Sequence, residues 1–259
     1  MARAASVRVD QQEAFVLHTL AWRETSLIVD LFTREHGRIA VVAKGAKRPN
    51  SSLRAVHLGF QPLEVGWSGS KDLRTLTKAE WQGGIAAPQG TALLCGFYLN
   101  ELLVKLLARD DPHEALFDAY LRAIASLGIG ADLELTLRQF EWALLQTCGY
   151  AVDLVRDTTG QLLQGSRDYL LRPQMGLSAV NESIPTRYHS QDDVVQLSGD
   201  DWAQLVKALE GTSTDTSSSD AKRILIASKS KAVMRMLLAV PLEGHPLRTR
   251  QILKDLQKK

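Results

Sequence analysis

Apolar and polar residues alternate at period two along the first 85 residues, in short runs that turn residues separate. Leu27, Val29 and Leu31 fall on one face of such a run, and residues 35–37 supply the turn that follows it. This spacing is typical of half-buried strands joined in a hairpin. The pattern predicts five strands, over residues 14–20, 26–33, 38–44, 60–67 and 73–81. Five is the strand number of an OB-fold, a small barrel that binds single-stranded nucleic acid, although other small barrels share it.

From residue 91 onward the apolar spacing becomes that of helices. Three helices are expected, over residues 91–107, 111–128 and 132–149. The first is apolar nearly all round, which indicates a central place in a bundle. The second has Asp111 as its cap and Pro112 in its first turn, and the third stops at Gly149, where a left-handed residue fits. An α-helical domain is therefore expected after the barrel.

The remaining sequence is more mixed. Short strands are predicted at residues 162–163, 168–171 and 194–197, and a helix from Trp202 ends at Gly211. Residues 211–220 are only Gly, Thr, Ser and Asp, a composition typical of a mobile linker or exposed loop. Helices over residues 221–240 and 247–259 follow. The predicted fold class is α+β: an OB-fold barrel over 1–85, a helical domain over 86–150 that continues at 198–259, and a small mixed region over 151–197.

Charge is distributed unevenly, although the formal net charge is only +2. Residues 1–90 hold 12 Lys and Arg against 8 Asp and Glu, and residues 91–220 hold 9 against 19. Residues 221–259 hold 10 against 2. Two basic ends around an acidic middle are typical of a protein that binds nucleic acid. The anion that faces the C-terminal cations is either nucleic acid or the acidic middle of the same chain.

The candidate nucleic-acid contacts are therefore the cations of the two basic ends. Between Arg34 and Arg54 lie six basic residues and one acidic residue, and the loop after the third predicted strand has no reason of its own to carry four cations. An ordinary solvated loop is the alternative. The candidate residues are Arg34, Arg38, Lys44, Lys47, Arg48 and Arg54 in the barrel, and Lys229, Lys231, Arg235, Arg248 and Arg250 near the C-terminus.

Four aromatic residues of the barrel segment are candidates for stacking on nucleobases, namely Phe32, Phe60, Trp67 and Trp81. Core packing is the favoured interpretation for Phe32 and Phe60.

Arg138 lies on the third predicted helix beside Leu137 and Phe140. A cation next to an apolar face could hold a peptide carboxylate. Alternatively, Arg138 pairs with Glu134 or Glu141 along the helix, and the residues alone favour this second interpretation.

The sequence does not suggest catalysis, a cofactor or a metal. Residues 66–70 resemble a nucleophile elbow, but Ser70 stands where the motif requires glycine. There is no phosphate-binding loop and no Cys-x-x-Cys pair, and Cys95 and Cys148 are expected to be free thiols. No apolar run approaches the roughly 18 residues of a membrane span, and the N-terminus lacks a signal-peptide core. A cytoplasmic protein without enzymatic activity is expected.

Motifs along nearly the whole chain resemble the bacterial recombination mediator family RecO. They are AFVLHT at 14–19, WRETSLIVDLFT at 22–33, GRIAVVAKGAKR at 37–48, FQPL at 60–63, GFYLNELL at 96–103, LRQFEWALL at 137–145 and PLRTR at 246–250. The resemblance implies an OB domain, a helical domain and a third region that holds a four-cysteine zinc site in many relatives. No cysteine follows Tyr150 here, so the zinc ion is not carried over.

The resemblance also implies a function. Members of this family are not enzymes; they bind single- and double-stranded DNA, anneal strands coated with single-strand-binding protein, and help RecR and RecF to load RecA onto gaps. A nucleoid-associated location in the cytoplasm follows from that role. Lys44, Lys47 and Arg48 would contact DNA, and Arg138 would bind the acidic, phenylalanine-ended tail of single-strand-binding protein with Leu137 and Phe140. An RNA-binding OB module in translation is the alternative.

Overall fold

A computed structural model describes residues 8–69, 72–180, 194–212, 220–243 and 245–257. The chain forms two compact units, one of Met1–Leu133 with Leu247–Lys259 and the other of Glu134–Pro246. We call them unit 1 and unit 2.

Unit 1 contains a closed five-stranded barrel, as the alternation predicts. Its strands are β1 (Arg8–Trp22), β2 (Ser26–Thr33), β3 (Gly37–Ala43), β4 (Leu63–Ser68) and β5 (Leu73–Trp81). They pair in the order β1-β2-β3-β5-β4, and β4 closes onto β1. Every pairing is antiparallel except β3 with β5. Val29, Val41 and Val65 are fully buried in the interior, so the apolar face of the alternation does form the core. The closed barrel and its OB-like character are confirmed.

The strand boundaries differ from expectation in β1 and β4. β1 begins at Arg8 rather than at residue 14, because its first residues pair with the end of β4, Arg8 opposite Ser68. β1 extends through Ala21 and Trp22, because the two strands of the hairpin stay paired up to Trp22 and Ser26. β4 begins at Leu63 rather than at residue 60, because Phe60 adopts φ 61° and turns the chain. The ring of Phe60 then packs against the ring of Phe97, with centroids 5.1 Å apart.

Three helices complete unit 1: α1 (Gly90–Leu106), α2 (Glu114–Gly128) and α6 (Arg248–Gln257). Buried polar groups attach α1 to the barrel. Asn100 of α1 donates from Nδ2 to the backbone oxygen of Leu17 at 3.0 Å, and its Oδ1 accepts from the Tyr120 hydroxyl of α2 at 2.5 Å. Burial raises the pKa of Tyr120, so this hydroxyl stays protonated and keeps its donor role.

The expected cap of α2 is wrong. The helix begins at Glu114 with His113 as its N-cap residue, after Asp111 and Pro112. Residues before the helix are instead held along β3, where the backbone N–H of Asp110 donates to the oxygen of Arg38 at 3.0 Å. A tertiary contact thus replaces the local cap.

Unit 2 is built from α3 (Leu133–Thr147), a small sheet and two further helices, α4 (Gly199–Leu209) and α5 (Asp220–Ala239). The sheet strands are β6 (Asp168–Arg172), β7 (Gly176–Ala179) and β8 (Val195–Ser198), in the order β7-β6-β8. Trp202 is fully buried and donates from Nε1 to the oxygen of Tyr169 at 3.2 Å. Gly149 and Gly211 both have positive φ, as their helix-ending positions require.

Two expectations in unit 2 need correction. The strand expected at residues 162–163 is wrong: Leu162 forms only an isolated bridge with Arg156. β7 was not expected; its four residues are too few for alternation to reveal. Most of the expected linker, residues 213–219, lies outside the described residues.

Carboxylates hold turns in the mixed region, where the family resemblance implies a zinc site in many relatives. Asp153 Oδ1 accepts from the backbone N–H groups of Val155 and Arg156, at 2.8 and 3.0 Å. Asp157 Oδ1 accepts from the backbone N–H and the hydroxyl of Thr159, at 2.8 and 2.5 Å. Within the described ranges, no three His, Cys, Asp or Glu residues group closely enough to hold a metal ion. These residues do not fit a zinc site.

Among the described helices, none is long and apolar enough to cross a membrane.

Candidate nucleic-acid interface

The four cations expected after β3 lie on a loop with an ordered backbone. We call residues 44–54 the basic loop. Gly45, at φ 70°, turns the chain after β3. The N–H of Arg48 donates to the oxygen of Gly45 at 3.0 Å, and the N–H of Lys47 donates to the oxygen of Thr25 at 3.0 Å. Because backbone hydrogen bonds within the loop and to Thr25 hold its conformation, the charged side chains are not needed to fix the loop.

Apolar residues of the loop and of the helical turn that follows anchor this segment to the barrel. Ala46, Leu53 and Val56 are 1%, 7% and 1% exposed and belong to the barrel core. A short 3-10 helix, Arg54–His57, follows the loop. Burial of the apolar positions leaves Lys44, Lys47, Arg48 and Arg54 exposed. The segment is therefore a fixed platform with cations on its outer side.

The loop and the 3-10 helix enclose a cleft of about 600 Å³. Lys47, Arg48 and Arg54 line it together with His57, whose Nε2 lies 3.2 Å from the oxygen of Ala46. Arg54 donates from Nη1 to the oxygen of Pro49 at 2.7 Å, which orients its guanidinium group. The sequence has no acidic residue between Glu35 and Glu64. Such a cleft suits phosphate groups and offers no base-specific pattern of donors and acceptors.

A second element lies beside the basic loop and was not expected from the sequence. We call residues 22–26, which join β1 to β2, the hairpin tip. Ser26 Oγ accepts from the N–H of Gly45 at 3.3 Å, so the tip and the loop are hydrogen-bonded neighbours. Trp22 is 41% exposed, and the guanidinium carbon of Arg23 lies 6.0 Å from its ring centroid. In the sequence, the neighbouring Trp22 and Arg23 at a turn could have indicated this element. They were overlooked because the first strand was expected to end at residue 20.

Arg34 is engaged within unit 1. Its Nε pairs with Glu13, and its Nη1 lies 2.8 Å from Oδ1 of Asp118. The guanidinium carbon lies 4.7 Å from the ring centroid of Phe117. The hydrogen bond to Glu13 raises the pKa of Arg34. Since two carboxylates already neutralise this cation, we do not include it in the interface.

Arg38 lies on β3, before the basic loop, and is half-buried. Burial lowers the pKa of its guanidinium group, while Asp30 opposes that shift. Its Nε is buried and has no hydrogen-bond partner among the described residues. We therefore assign Arg38 to the packing around β3.

The C-terminal cations divide between the two units. Arg248 and Arg250 lie on α6 in unit 1, while Lys229, Lys231 and Arg235 lie on α5 in unit 2. Lys231 Nζ lies 3.4 Å from Oε1 of Glu134, both exposed. The cations of the basic C-terminal segment are therefore divided between the two units.

The candidate stacking residues separate by burial. Phe32, Phe60 and Trp67 are 0%, 3% and 1% exposed, so Trp67 joins the core with the other two. Trp81 is 58% exposed, but it pairs with Leu63 at the opposite end of β5 from Thr75, which pairs with Val42 near the basic loop.

Arg138 makes the intrahelical pair that its spacing allows. Its Nη2 lies 2.8 Å from Oε1 of Glu141, and the two side chains are 12% and 0% exposed. Phe140 is buried and Leu137 is half-buried. The guanidinium group thus lies at the margin of the unit 2 core.

Comparison with known proteins agrees with this architecture. The chain matches the model for the N-terminal region of recombination protein O over residues 8–84 and that for its C-terminal region over residues 87–196. It is 46% identical to the DNA repair protein RecO of Azoarcus sp. (strain BH72) over 254 residues, which cover 98% of each chain. It is 46% identical to that of Ralstonia nicotianae over 258 residues, 99% of this chain and 88% of the relative. The barrel, the helices that follow it and these matches together show that the chain belongs to the RecO family.

Proposed function

We infer that this chain acts in DNA repair and recombination, the role that its membership of the RecO family supports. We propose that it is a non-catalytic mediator, which binds single- and double-stranded DNA and anneals complementary strands. In this proposal it acts with RecR and RecF to load RecA onto gaps that single-strand-binding protein coats. In this proposal the protein acts through the free energy of binding alone, without catalysis.

The observation that carries the proposal is the basic cleft. Lys47, Arg48 and Arg54 line one concave surface on an ordered loop, and Lys44 is exposed beside it. Their arrangement suits phosphates of any sequence, because a cation attracts each phosphate equally and releases condensed counterions when it binds. Binding without base readout is what annealing requires, since the strands must remain free to pair.

Annealing has a direct physical account in these terms. Two complementary strands repel one another through their phosphates, and protein cations reduce that repulsion without an energy source. This chain has candidate phosphate contacts on both units. We propose that the basic loop holds one strand and that α5 engages the other.

Reversal of Lys44, Lys47 and Arg48 to glutamate tests the basic loop. These side chains are exposed, so the fold should persist. We expect binding of an oligonucleotide to weaken by at least about tenfold, and its salt dependence to become shallower by roughly 0.7 per lost phosphate contact. The measurements are a fluorescence-anisotropy titration at several salt concentrations and an annealing assay.

The matched control reverses Arg122, Arg156 and Arg167, which are exposed and outside the basic loop, α5 and α6. This variant has the same net charge as the loop variant, so it should keep most of the affinity. Unchanged annealing by the folded loop variant would disprove the assignment. Competition between DNA and RNA of one sequence tests the translational alternative, which requires a preference for RNA.

We further propose that Arg138 holds the carboxylate end of the acidic tail of single-strand-binding protein. Removal of Arg138 would break its ion pair with the buried Glu141 and could disturb the fold, so the sharper comparison changes the peptide. A tail peptide with a free carboxylate should bind more tightly than the same peptide with a C-terminal amide. Equal affinities would contradict a role for the terminal charge and hence for Arg138.

A further inference from the structure

The outer face of the barrel beside the basic loop has an exposed apolar row. In an antiparallel ladder, directly opposed residues point to the same side. Leu20 is opposed to Ile28, and Ile28 to Val42. Since Val29 and Val41 point into the core, their neighbours Ile28 and Val42 point outward. Leu20 is 57% exposed, whereas Ile28 and Val42 are half-buried.

Trp22 ends this row at the hairpin tip. It is opposed to Ser26, whose hydroxyl accepts from the N–H of Gly45 in the basic loop. Trp22, Ser26 and Gly45 therefore lie side by side across the face, within about two strand spacings, or roughly 10 Å. That span is short enough for neighbouring nucleotides of one strand to engage both the ring and the loop cations.

The tip also orients the ring. Arg23 has φ 53°, in the left-handed region that side chains rarely adopt, and the strain is compatible with a functional constraint. Its guanidinium group lies near one side of the Trp22 ring. The other tryptophans of unit 1 do not share this setting, since Trp67 is buried and Trp81 lies at the other end of β5.

We propose that Trp22 is a platform on which an unpaired nucleobase stacks while Lys44, Lys47 and Arg48 hold the adjoining phosphates. An aromatic surface next to cations matches a single strand, whose bases are exposed beside their phosphates. In a duplex both faces of each base are already covered, so the ring gains nothing. Trp22 is thus the residue that favours single strands over duplexes. The inference rests on the proposed DNA binding, which the loop cations carry independently.

Two probes with equal numbers of phosphates separate stacking from charge. One is an oligothymidylate, and the other is an abasic oligonucleotide of the same length. We expect the native chain to prefer the oligothymidylate. Trp22→Ala should lower its affinity for that probe by on the order of tenfold, without a change in affinity for the abasic probe or a duplex. The salt dependence should remain that of the native chain, because no cation is lost.

Three further variants distinguish aromatic stacking at Trp22 from apolar contact and from stacking at Trp81. Trp22→Phe retains an aromatic face and should keep most of the preference, whereas Trp22→Leu retains apolar area alone and should lose it. Trp81→Ala removes the other exposed tryptophan of unit 1 and should change neither affinity. In a Trp81→Phe background, oligothymidylate should quench tryptophan emission, and the abasic probe should not.

The outcomes are distinguishable. Failure of the native chain to bind either probe would overturn the proposed function and this inference together. Equal affinity for both probes in the native chain, or unchanged affinity in Trp22→Ala, would overturn the stacking role while DNA binding through the loop stands. A Trp22→Leu variant that matches the native chain would reduce Trp22 to a general apolar contact and also overturn the inference.

Discussion

Single residues show where the barrel is sensitive to side-chain size, and Gly37 is the clearest case. It has φ 63°, and a Cβ atom there would lie 1.9 Å from the backbone oxygen of Asp111. Gly37→Ala should therefore cost the left-handed strain of about 1–2 kcal/mol and a further 1–3 kcal/mol for the clash. Urea unfolding measures the loss.

Gly130 supplies the matched control for this prediction. It has φ 71°, close to that of Gly37, but a Cβ atom there would meet nothing within 4 Å. Gly130→Ala should cost only the backbone strain. Equal losses of stability in Gly37→Ala and Gly130→Ala would contradict the close contact between Gly37 and the backbone of Asp111.

At the residue scale the sequence predicts charge well but not which charges remain free. Arg34 and Arg48 look alike in the sequence, yet Arg34 meets Glu13 and Asp118, which lie far from it along the chain. No local pattern reveals such pairings. The loop cations are exposed because Ala46 and Leu53 occupy the buried positions of the loop. The lack of an acid between Glu35 and Glu64 could be read directly from the sequence. Trp22 was missed because one strand was expected to end two residues early.

At the scale of elements, a carboxylate of α1 binds the N-terminus of α6. Glu101 accepts from the backbone N–H groups of Arg248 and Thr249, at 2.8 and 2.9 Å, and from the Thr249 hydroxyl at 2.7 Å. Burial alone would raise the pKa of Glu101, but these hydrogen bonds outweigh it and lower the pKa. A carboxylate from another helix thus caps the N-terminus of α6.

This contact predicts how α6 responds to pH and mutation. Because the folded pKa of Glu101 is lowered, the attachment is fully present above the unfolded value of about 4.3 and is lost as pH falls through the folded value. Glu101→Ala should raise hydrogen exchange across α6 by about 10- to 100-fold at neutral pH. Mass spectrometry of exchange reports it, and Glu24→Ala, at an exposed acid, is the control. Unchanged exchange in Glu101→Ala would show that packing alone holds α6.

Element prediction succeeded where spacing is regular and failed where tertiary contacts decide. The barrel strands and the long helices have sustained periods, so their existence follows from the sequence. The start of α2 does not, because the segment from Arg109 to Asp111 pairs along β3 instead of capping the helix. β7 is too short to show a period. The pairings of β3 with β5 and of β4 with β1, both needed for the closed barrel, join strands that are not consecutive in the chain.

On the scale of the whole molecule, the charge asymmetry is real but does not correspond to three segments. The cations of residues 221–259 divide, with α5 in unit 2 and α6 in unit 1, where Glu101 of α1 contacts α6. Unit 1 thus has two basic elements of its own, the basic loop and α6. Sequence segments cannot show this division, since it depends on the C-terminal helix returning to the first unit. The proposed roles in annealing follow from it.

If the basic loop and α5 serve different strands, their reversal should have different effects. Lys229→Glu with Lys231→Glu changes two cations of α5, of which Lys229 is half-buried. Among the described residues it breaks the exposed ion pair of Lys231 with Glu134, which contributes little to stability. We expect this variant to bind one single strand nearly as well as the native chain but to anneal complementary strands more slowly at saturating protein. The loop variant should lose both activities, because it no longer holds the first strand.

The control for α5 reverses Arg156 and Arg167, two exposed cations of the same unit, so that net charge falls equally. Annealing by this control should remain close to the native rate. An α5 variant that loses single-strand affinity as severely as the loop variant would indicate one shared binding path. Native annealing by the α5 variant would contradict the proposal that α5 engages the second strand.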